Sequence, residues 1–188
     1  MSRANLSPMH LSKDARASVS YWDRVACEKR FPHPLHLEWL KRYTGLRARI
    51  VDFGCGYGRT LGELLHAGYE NTIGVDFSFR MLTRCRSEFP GLRLVQNSGQ
   101  TIPLRQDSVD VVLLLAVLTC IPSDEGQLEL ISEIRRVLHP GGLLFISDLL
   151  LNGDSRNRER YERFAEEYGI YGVFELPEGV VLRHYRKE

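Results

Sequence analysis

One segment of the chain constrains its fold more than any other, and it reads VDFGCGYGRT over residues 51–60. A short apolar run ends there in three alternating glycines, and a helical pattern follows directly. Glycine removes the side chain where a backbone must turn sharply and approach a ligand closely. The segment therefore predicts a buried strand, then a ligand-binding loop, then a helix.

From Arg49 onward, short apolar runs alternate with helical stretches, which is typical of a parallel sheet with helices on both faces. Strands are predicted at Arg49–Phe53, Thr72–Asp76, Leu92–Gln96, Val109–Ala116 and Leu143–Asp148. Helices are predicted at Arg59–Ala67, Ser78–Phe89 and Ser123–Leu138, and His139-Pro140-Gly141-Gly142 should turn the chain into the fifth strand. The predicted fold class is α/β, with a mostly parallel central sheet.

The chain has 188 residues, which suits one domain with a proper core. Residues 1–17 are polar and aperiodic and are predicted to form a flexible tail. Residues 18–45 carry two short amphipathic helical patterns, and residues 46–152 form the predicted α/β core. Residues 153–188 should contain an exposed helix followed by a β-hairpin.

The charge of the chain bears on its partners. The formal net charge is only +1, which argues against binding that depends on neutralising many phosphates. Residues 1–49 carry ten Lys or Arg against four Asp or Glu. This local excess fits an anionic substrate or partner, but a solvated helical face is the simpler explanation.

The sequence also bears on compartment and metal content. No window approaches the roughly 18 consecutive apolar residues of a membrane helix, and no signal-peptide pattern is present, so we expect a cytoplasmic protein without a membrane partner. Cysteine spacing indicates neither disulfides nor a zinc site, at Cys27, Cys55, Cys85 and Cys120. His33 and His36 lack further ligands in sequence and fit an exposed helix start better than a metal pair. No metal is expected.

Two carboxylates indicate which ligand the glycine loop suits. A dinucleotide-binding loop would read G-x-G-x-x-G, but here the third glycine, Gly58, comes one residue early. Asp52, just before the loop, would repel a pyrophosphate and would suit a ligand with an ammonium and a sulfonium. Asp76 ends the second predicted strand, where it can accept both ribose hydroxyls or, alternatively, cap the next helix. The pair favours a cationic nucleoside.

Five segments in this order resemble the class I S-adenosylmethionine (SAM)-dependent methyltransferases, over roughly residues 20 to 150. They are VDFGCGYGRT, IGVDFS with Met81, QNSGQTIPL, DSVDVVLLLAVL and EIRRVLHPGGLLFISD. The resemblance implies a Rossmann-like class I methyltransferase fold, and the short C-terminal region leaves room for the loss of the last one or two strands. It also implies SAM as cofactor, S-adenosylhomocysteine (SAH) as product and a small molecule as methyl acceptor.

The resemblance implies a cofactor site at the loop and at the strand ends. The implied contacts are Asp52, Gly54, Cys55, Gly56 and Gly58 to the methionine part, Asp76 to the ribose, Phe77 and Met81 to the adenine, and Leu115 and Ala116 to the methionine carbon chain. In similar proteins that start with Tyr-Trp-Asp, this helix covers the cofactor, so Tyr21 is expected to be a lid residue. Tyr21 equally fits an aromatic that fixes this helix to the core.

The chain departs from the family in its adenine segment. Where many members have Gly-Asp-Ala before Leu-Pro-Phe, this chain has Asn97-Ser98-Gly99 before Ile102-Pro103-Leu104. The Asp that accepts the adenine amino group is therefore missing, and Ser98 Oγ or the backbone around Gly99 could accept that hydrogen bond instead. We expect weaker or differently arranged adenine recognition.

No catalytic residue follows from the sequence, because positioning alone can accelerate an in-line methyl transfer and a base is optional. Family members that methylate a base amine carry Asn or Asp, two prolines and an aromatic after the fourth strand, and this chain does not. A nucleic-acid partner is therefore not expected. Candidate groups on the acceptor side are Tyr21, Trp22, Thr119, Cys120, His184 and Tyr185.

The C-terminal hairpin, predicted from the apolar runs 173–176 and 180–185, has two interpretations. It forms either the antiparallel strands that close this fold, or a lid that precedes them in similar proteins. We favour the lid, which would make the sequence a truncated form with an exposed fifth strand. Such an edge should be masked by the hairpin or by a second copy, so a homodimer is expected.

Two other functions stay open for a chain with this pattern. One is a SAM-binding protein without methyltransferase activity, for example a regulatory subunit, which the missing adenine Asp and the short C-terminus suggest. The other is an NAD-dependent oxidoreductase, which Asp52 and the glycine spacing disfavour.

Overall fold

The computed structural model describes residues 18–187 of the chain, so the predicted tail at 1–17 lies outside the described residues. The helices are α1, which includes residues 18–25, α2 (Leu37–Tyr43), α3 (Arg59–His66), α4 (Phe79–Glu88), α5 (Asp124–Val137) and α6 (Ser155–Tyr168). The strands are β1 (Ile50–Phe53), β2 (Thr72–Asp76), β3 (Arg93–Gln96), β4 (Val109–Leu115), β5 (Leu138–Ser147), β6 (Val173–Glu175) and β7 (Val181–Arg183). A 3-10 turn, Leu118–Cys120, follows β4.

Strands β1 to β5 form one parallel sheet in the order β3-β2-β1-β4-β5. The chain builds outward from β1 to β3 on one side and then continues with β4 and β5 on the other. The strand order therefore reverses beside β1. Ligands of open α/β sheets bind outside the carboxyl ends of the strands at such a switch point. The predicted α/β fold is confirmed, and its switch point coincides with the glycine loop.

The two central strands are buried on both faces, as their continuous apolar sequences predict. All four residues of β1 are buried. Val51 and Val112 pack with the apolar stripe of α5, which includes Ile134. The alternating residues Ile50 and Val111 pack on the other face, with side chains from α2 and α3. This packing holds β1 rigidly and so fixes the position of the loop that follows it.

Short polar side chains begin the helices that follow the strands. Ser78 Oγ accepts a hydrogen bond from Met81 N at 3.1 Å, and Ser123 Oγ accepts one from Gly126 N at 3.1 Å. Asp154 does the same for α6, through Asn157 N at 2.9 Å. Each cap satisfies one of the free N–H groups of a first helical turn. The caps of α4 and α5 thereby fix these helix starts at the carboxyl edge of the sheet.

The start of β5 differs from the prediction. The strand begins at Leu138, directly after α5, and contains the Pro140-Gly141-Gly142 segment that was expected to be a turn. Leu138 pairs with Val109, and the next pair joins Leu143 to Val111, so the segment forms a bulge. A proline is tolerated there because β5 is the edge strand and its outer N–H groups need no ladder partner.

The C-terminal region forms the predicted helix and hairpin. β6 and β7 pair antiparallel in a separate two-stranded sheet, and β6 packs on α6. The interpretation of the hairpin as the closing strands of the main sheet is therefore wrong. Arg183 instead donates to Pro122 O at 3.2 Å and pairs with Asp124 at 2.5 Å, which places the hairpin beside the start of α5. Among residues 18–187, no helix is long and apolar enough to cross a membrane.

Candidate functional site

The glycine loop leaves β1 at the carboxyl edge of the sheet. Gly54, Gly56 and Gly58 all have left-handed backbone conformations, with φ of 73°, 54° and 86°. A side chain would be strained at each position, which explains the alternating glycines. Gly54 N donates to Val75 O at 2.7 Å, so the loop folds back over the end of β2. The loop thus brings its backbone next to Asp76.

Asp76, at the end of β2, accepts two backbone hydrogen bonds, and its contact with a ribose stays a prediction. Its Oδ2 accepts from Gly56 N at 2.8 Å and its Oδ1 accepts from Ser78 N at 2.8 Å. The carboxyl therefore ties the glycine loop to the start of α4. Burial raises the pKa of Asp76 to about 6, and the backbone hydrogen bonds only partly offset this. The side chain is 7% exposed, so the remaining lone pairs face a largely dry space.

Asp52 is the most unusual group at this edge. Its side chain is 2% exposed, and its Oδ2 has no hydrogen-bond partner among the described residues. Burial raises the pKa of Asp52 to about 8, while the charge of Arg59 lowers it. A buried carboxylate oxygen without a donor is costly. The position therefore suits a ligand that brings a positive charge or an N–H donor to Asp52.

Two of the predicted loop contacts face the core. Cys55 packs with Leu61 and Cys85, and burial raises the pKa of its thiol. A Cβ on Gly58 would lie 2.2 Å from Cys85 Sγ, so the close packing of α4 explains this glycine. Contact of the Cys55 and Gly58 backbones with the cofactor stays a prediction.

A segment that we call the cover, residues 18–36, lies over the glycine loop. Phe31 stacks on Tyr57 with ring centroids 5.5 Å apart, and its ring would lie 3.3 Å from a Cβ on Gly56. Phe31 N donates to Tyr57 Oη at 3.1 Å. Tyr21 is buried at 4% exposure and accepts from Lys29 Nζ at 3.4 Å. The cover thus places the ring of Phe31 over the loop, and the role of Tyr21 as a lid residue stays a prediction.

Polar contacts hold the cover in place. Asp23 Oδ1 accepts from Ser78 Oγ at 2.6 Å and from Arg80 N at 3.2 Å, at the start of α4. Arg84 donates to the carbonyls of Ala26 and Lys29, both at 2.8 Å. The guanidinium of Arg59 donates to the carbonyl of His33. The cover is therefore anchored to both helices that begin at the site.

The predicted adenine side lies between the ends of β2 and β3. Met81 is buried with Ala26 and Tyr57 of the cover and loop, and Phe77 O accepts from Gln96 Nε2 at 3.0 Å. Ser98 and Gly99 are exposed. Asn97, directly before them, was not among the predicted contacts.

Asn97 carries an acceptor without a partner. Its Nδ2 donates to the carbonyls of Gly99 and Thr101, at 2.7 and 3.1 Å, which fixes the orientation of the amide. Its Oδ1 is buried and has no hydrogen-bond partner among the described residues. Asn97 N donates to the backbone carbonyl of Asp76 at 3.2 Å, so Asn97 lies beside the end of β2. This unpartnered acceptor is the feature that makes Asn97 a candidate binding residue.

The ends of β4 and β5 form the other half of the edge. Ala116 has a left-handed backbone with φ of 56°, which is strained for a residue with a side chain. Leu115 and Ala116 are half-buried, and Ala116 N donates to Ser147 O at 2.8 Å. The buried Thr119 Oγ1 has no partner among the described residues. Burial raises the pKa of Cys120 to about 12, so its thiol is neutral.

His33 and Asp148 both lie at this half of the edge, although no local sequence pattern connects them. His33 Nε2 lies 2.7 Å from Ser147 Oγ, across 114 residues of chain. Burial raises the pKa of Asp148, and the nearby charge of His33 opposes that effect. Asp148 comes directly after β5, just as Asp76 is the last residue of β2. A search for carboxylates at strand ends could therefore have identified Asp148 from the sequence. Within residues 18–187, no three His, Cys, Asp or Glu side chains form a metal-binding group.

The two candidates in the hairpin differ in position. Tyr185 Oη accepts from Gln127 Nε2 at 2.6 Å. Burial raises the pKa of Tyr185 to about 12, and the nearby charge of Asp148 adds to this effect. His184 turns toward α6, where its Nδ1 lies 2.6 Å from Tyr161 Oη. Burial lowers the pKa of His184 to about 4. Tyr185 therefore lies near the carboxyl edge of the sheet, whereas His184 packs between the hairpin and α6.

Known proteins resemble this chain at both the sequence and the fold level. A family model described as "Methyltransferase domain" matches residues 51–146. The ubiquinone biosynthesis O-methyltransferase of Aromatoleum aromaticum is 28% identical over 189 residues, which cover 93% of this chain and 74% of that protein. The probable phthiotriol/phenolphthiotriol dimycocerosates methyltransferase 2 of Mycobacterium ulcerans is 32% identical over 109 residues, and the match covers 54% of this chain and 39% of that protein.

Solved structures share the fold. A SAM-dependent methyltransferase from Methanosarcina mazei superposes with a TM-score of 0.70 at 23% identity, and the match covers 84% of this chain and 79% of that one. The DhpI–SAH complex superposes with a TM-score of 0.65 at 18% identity, covering 93% and 81% of the two chains.

Proposed function

Because this chain belongs to the class I SAM-dependent methyltransferase family, whose cofactor is SAM, we propose that it transfers a methyl group to an oxygen nucleophile of a small molecule. The sequence alone left oxygen, nitrogen and carbon nucleophiles open. The relative that matches nearly the whole chain is named an O-methyltransferase, as is a second one from Aspergillus nomiae at 27% identity over 180 residues. The observation that carries the proposal is that the carboxyl edge of the sheet holds both a buried Asp52 oxygen without a hydrogen-bond partner among the described residues, at the end of β1, and the imidazole of His33, at the end of β5.

The cofactor side of the site fits SAM by charge and shape. Bound there, SAM supplies an electrophilic methyl group on a sulfonium. Asp52 Oδ2 would accept a hydrogen bond from the positively charged methionine part. This oxygen has no hydrogen-bond partner among the described residues, which supports the role. Asp76 would accept from the ribose hydroxyls, and Gly54 and Gly56 would let the backbone approach. Tyr21 would cover the site.

Adenine recognition would use Asn97 in place of the missing family aspartate. Asn97 Oδ1 is a buried acceptor next to Asp76, and an exocyclic amino group is the donor that it lacks. Phe77 and Met81 would flank the ring. Ser98 and Gly99 remain alternative acceptors, but their exposure makes them weaker candidates. A neutral amide oxygen accepts a weaker hydrogen bond than a carboxylate, which supports the expected weaker recognition.

The acceptor would bind where β4 and β5 end. Its oxygen would attack the methyl carbon in line with the breaking carbon–sulfur bond, which leaves SAH. The hydroxyl proton would pass to His33 Nε2, which lies on the cover and contacts Ser147 Oγ, and then to solvent. Thr119 Oγ1, which has no partner among the described residues, could orient the acceptor. Cys120 would not act as a base, because its pKa is raised to about 12.

Substitution of His33 tests the proposed base. His33→Gln should lower kcat by about 100-fold, the low end of what a general base contributes, while SAH affinity stays within a factor of two. SAH release would be measured with a panel of phenols, catechols and aliphatic alcohols. His36→Gln is the matched control, because His36 is exposed on the same segment. Equal kcat in the two variants would exclude His33 as the base.

The same assay separates an enzyme from a SAM-binding protein without activity. An enzyme releases SAH in the presence of at least one acceptor, whereas a binding protein retains SAM and forms no product with any of them.

We also propose that the protein is cytoplasmic, that it has no nucleic-acid partner and that a second copy of the chain covers the outer edge of β5. The exposed Ile146 on that strand supports the last proposal.

A further inference from the structure

A cavity of about 760 Å³ lies at the amino ends of the parallel strands. This is the opposite edge of the sheet from the glycine loop. Four arginines line it, namely Arg47, Arg49, Arg93 and Arg105. They come from three separate stretches of chain, before β1, at the start of β3 and before β4. The fold therefore brings together positive charges that lie far apart in the sequence.

The charge of the cavity is largely unneutralised. Arg49 pairs with Asp110, with 2.7 Å between its guanidinium and the carboxylate. Within the part of the chain that the structure describes, Arg47, Arg93 and Arg105 make no side-chain hydrogen bond or ion pair. None of the described residues that line the cavity is Asp or Glu. Three free guanidinium groups around one concave surface suit an anion.

The walls of the cavity are fixed. Arg136 donates to the carbonyls of Ile102 and Leu104, both at 2.9 Å, and Glu133 accepts from Ile102 N at 2.9 Å. These contacts hold the backbone that carries Arg105. On the other side, Asn71 Nδ2 donates to Arg47 O at 3.2 Å. A fixed backbone lowers the entropy cost of binding a ligand.

The base of the cavity is apolar. Ile50 and Val109, which line the cavity, are buried at 1% and 2% exposure, and Ile73, which also lines it, is half-buried. Small-molecule sites commonly combine an apolar base with a few polar groups and have volumes of about 300–1,000 Å³. Guanidinium groups bind phosphate through two parallel hydrogen bonds. The geometry is therefore suited to an organic molecule with an anionic end.

We propose that this cavity binds a small organic anion with a phosphate group on an apolar body. The site is independent of the proposed methyl transfer, because β1 separates it from the glycine loop by about 10 Å. Concave shape and a net charge of only +1 favour a small ligand over a nucleic-acid backbone.

Calorimetric titration of the full chain with phenyl phosphate and with inorganic phosphate tests the proposal. Phenyl phosphate should bind at least tenfold more tightly than phosphate, because only it reaches the apolar base. The double variant Arg93→Glu and Arg105→Glu should lose at least tenfold in phenyl phosphate affinity, with unchanged melting temperature and SAH affinity. Arg158→Glu, an exposed arginine on α6, is the control and should bind phenyl phosphate like the unchanged chain.

Three results would overturn the site. One is no binding of phenyl phosphate at millimolar concentration. Another is equal affinity for phenyl phosphate and phosphate, which would mean an adventitious ion only. The third is an equal loss in the double variant and in Arg158→Glu, which would mean nonspecific charge. A short oligouridylate that binds more tightly than phenyl phosphate, and loses affinity in the double variant, would replace the small ligand with RNA.

Discussion

At the scale of single residues, the site contains carboxyl groups whose charged form costs free energy because the fold buries them. Asp52 and Asp76 are both buried, and burial raises the pKa of each, to about 8 and about 6. Apolar packing of β1 removes water from Asp52, and no described residue donates to its Oδ2. Such strain is expected at a binding site, where the ligand relieves it. Stability and cofactor affinity should therefore oppose each other at Asp52.

Asp52→Asn tests this opposition through pH. Between pH 4 and pH 8 the folded protein holds a proton on Asp52 that the unfolded chain releases, so the stability of the cofactor-free protein falls as pH rises through this window. Asparagine does not titrate. The variant should therefore be more stable than the unchanged chain at pH 8, by about 1–3 kcal/mol, and the difference should shrink toward pH 4. Urea unfolding at both pH values measures it.

The same variant should bind SAM at least tenfold more weakly, because an amide cannot take on the negative charge that Asp52 would acquire when the cation binds and displaces its proton. A variant that gains stability at pH 8 and keeps its SAM affinity would show that Asp52 is buried for structural reasons only. An unchanged pH dependence of unfolding would show that another group carries the titration.

At the scale of elements, the cover and the helices that hold it decide access to the site. Asp23, Arg59 and Arg84 connect the cover to the starts and flanks of α3 and α4. Phe31 of the cover stacks on Tyr57 of the glycine loop. Because the cover is a short segment held by these few polar contacts and one small apolar cluster, its release should need less free energy than unfolding of the sheet. Cofactor exchange should therefore be limited by the cover.

Asp23→Asn weakens one anchor of the cover while keeping its size. The carboxylate that accepts from Ser78 Oγ and Arg80 N becomes a neutral amide, so the SAH dissociation rate should rise by about five- to tenfold. Stopped-flow fluorescence of Trp22, which lies on the cover, would follow this rate. The matched control is Glu28→Gln, an exposed carboxyl on the same segment. Equal dissociation rates in all three proteins would exclude a gating role for the cover.

The elements show what sequence could predict and where it could not. The strands, the glycine loop and Asp76 followed from local patterns, because short apolar runs and positive-φ glycines are local requirements. The bulge that contains Pro140 was missed, since only its position at the sheet edge makes a proline acceptable there. His33 and Ser147 are 114 residues apart, and no local pattern could bring them together. Asn97 was missed because its unpartnered oxygen is visible only once its neighbours are placed.

At the scale of the whole molecule, the parallel sheet separates two surfaces of opposite character. Its carboxyl edge carries buried carboxylates, and its amino edge carries free arginines around a cavity. A parallel arrangement produces this separation, because every strand contributes its end to one edge and its start to the other. The separate hairpin leaves the outer edge of β5 without a strand partner among the described residues, and the expected homodimer stays a prediction.

The most direct test of the cofactor site is a calorimetric titration with SAH of the unchanged chain and of Asp76→Ala. The unchanged chain should bind one SAH. Asp76→Ala should remain folded by circular dichroism and lose about 2 kcal/mol, or roughly 30-fold in affinity, because charge-assisted hydrogen bonds to the ribose disappear. Glu129→Ala, an exposed carboxyl on α5, should bind SAH like the unchanged chain. A folded Asp76→Ala variant with full SAH affinity, or an unchanged chain that binds no SAH at millimolar concentration, would contradict a SAM site at the carboxyl edge of the sheet.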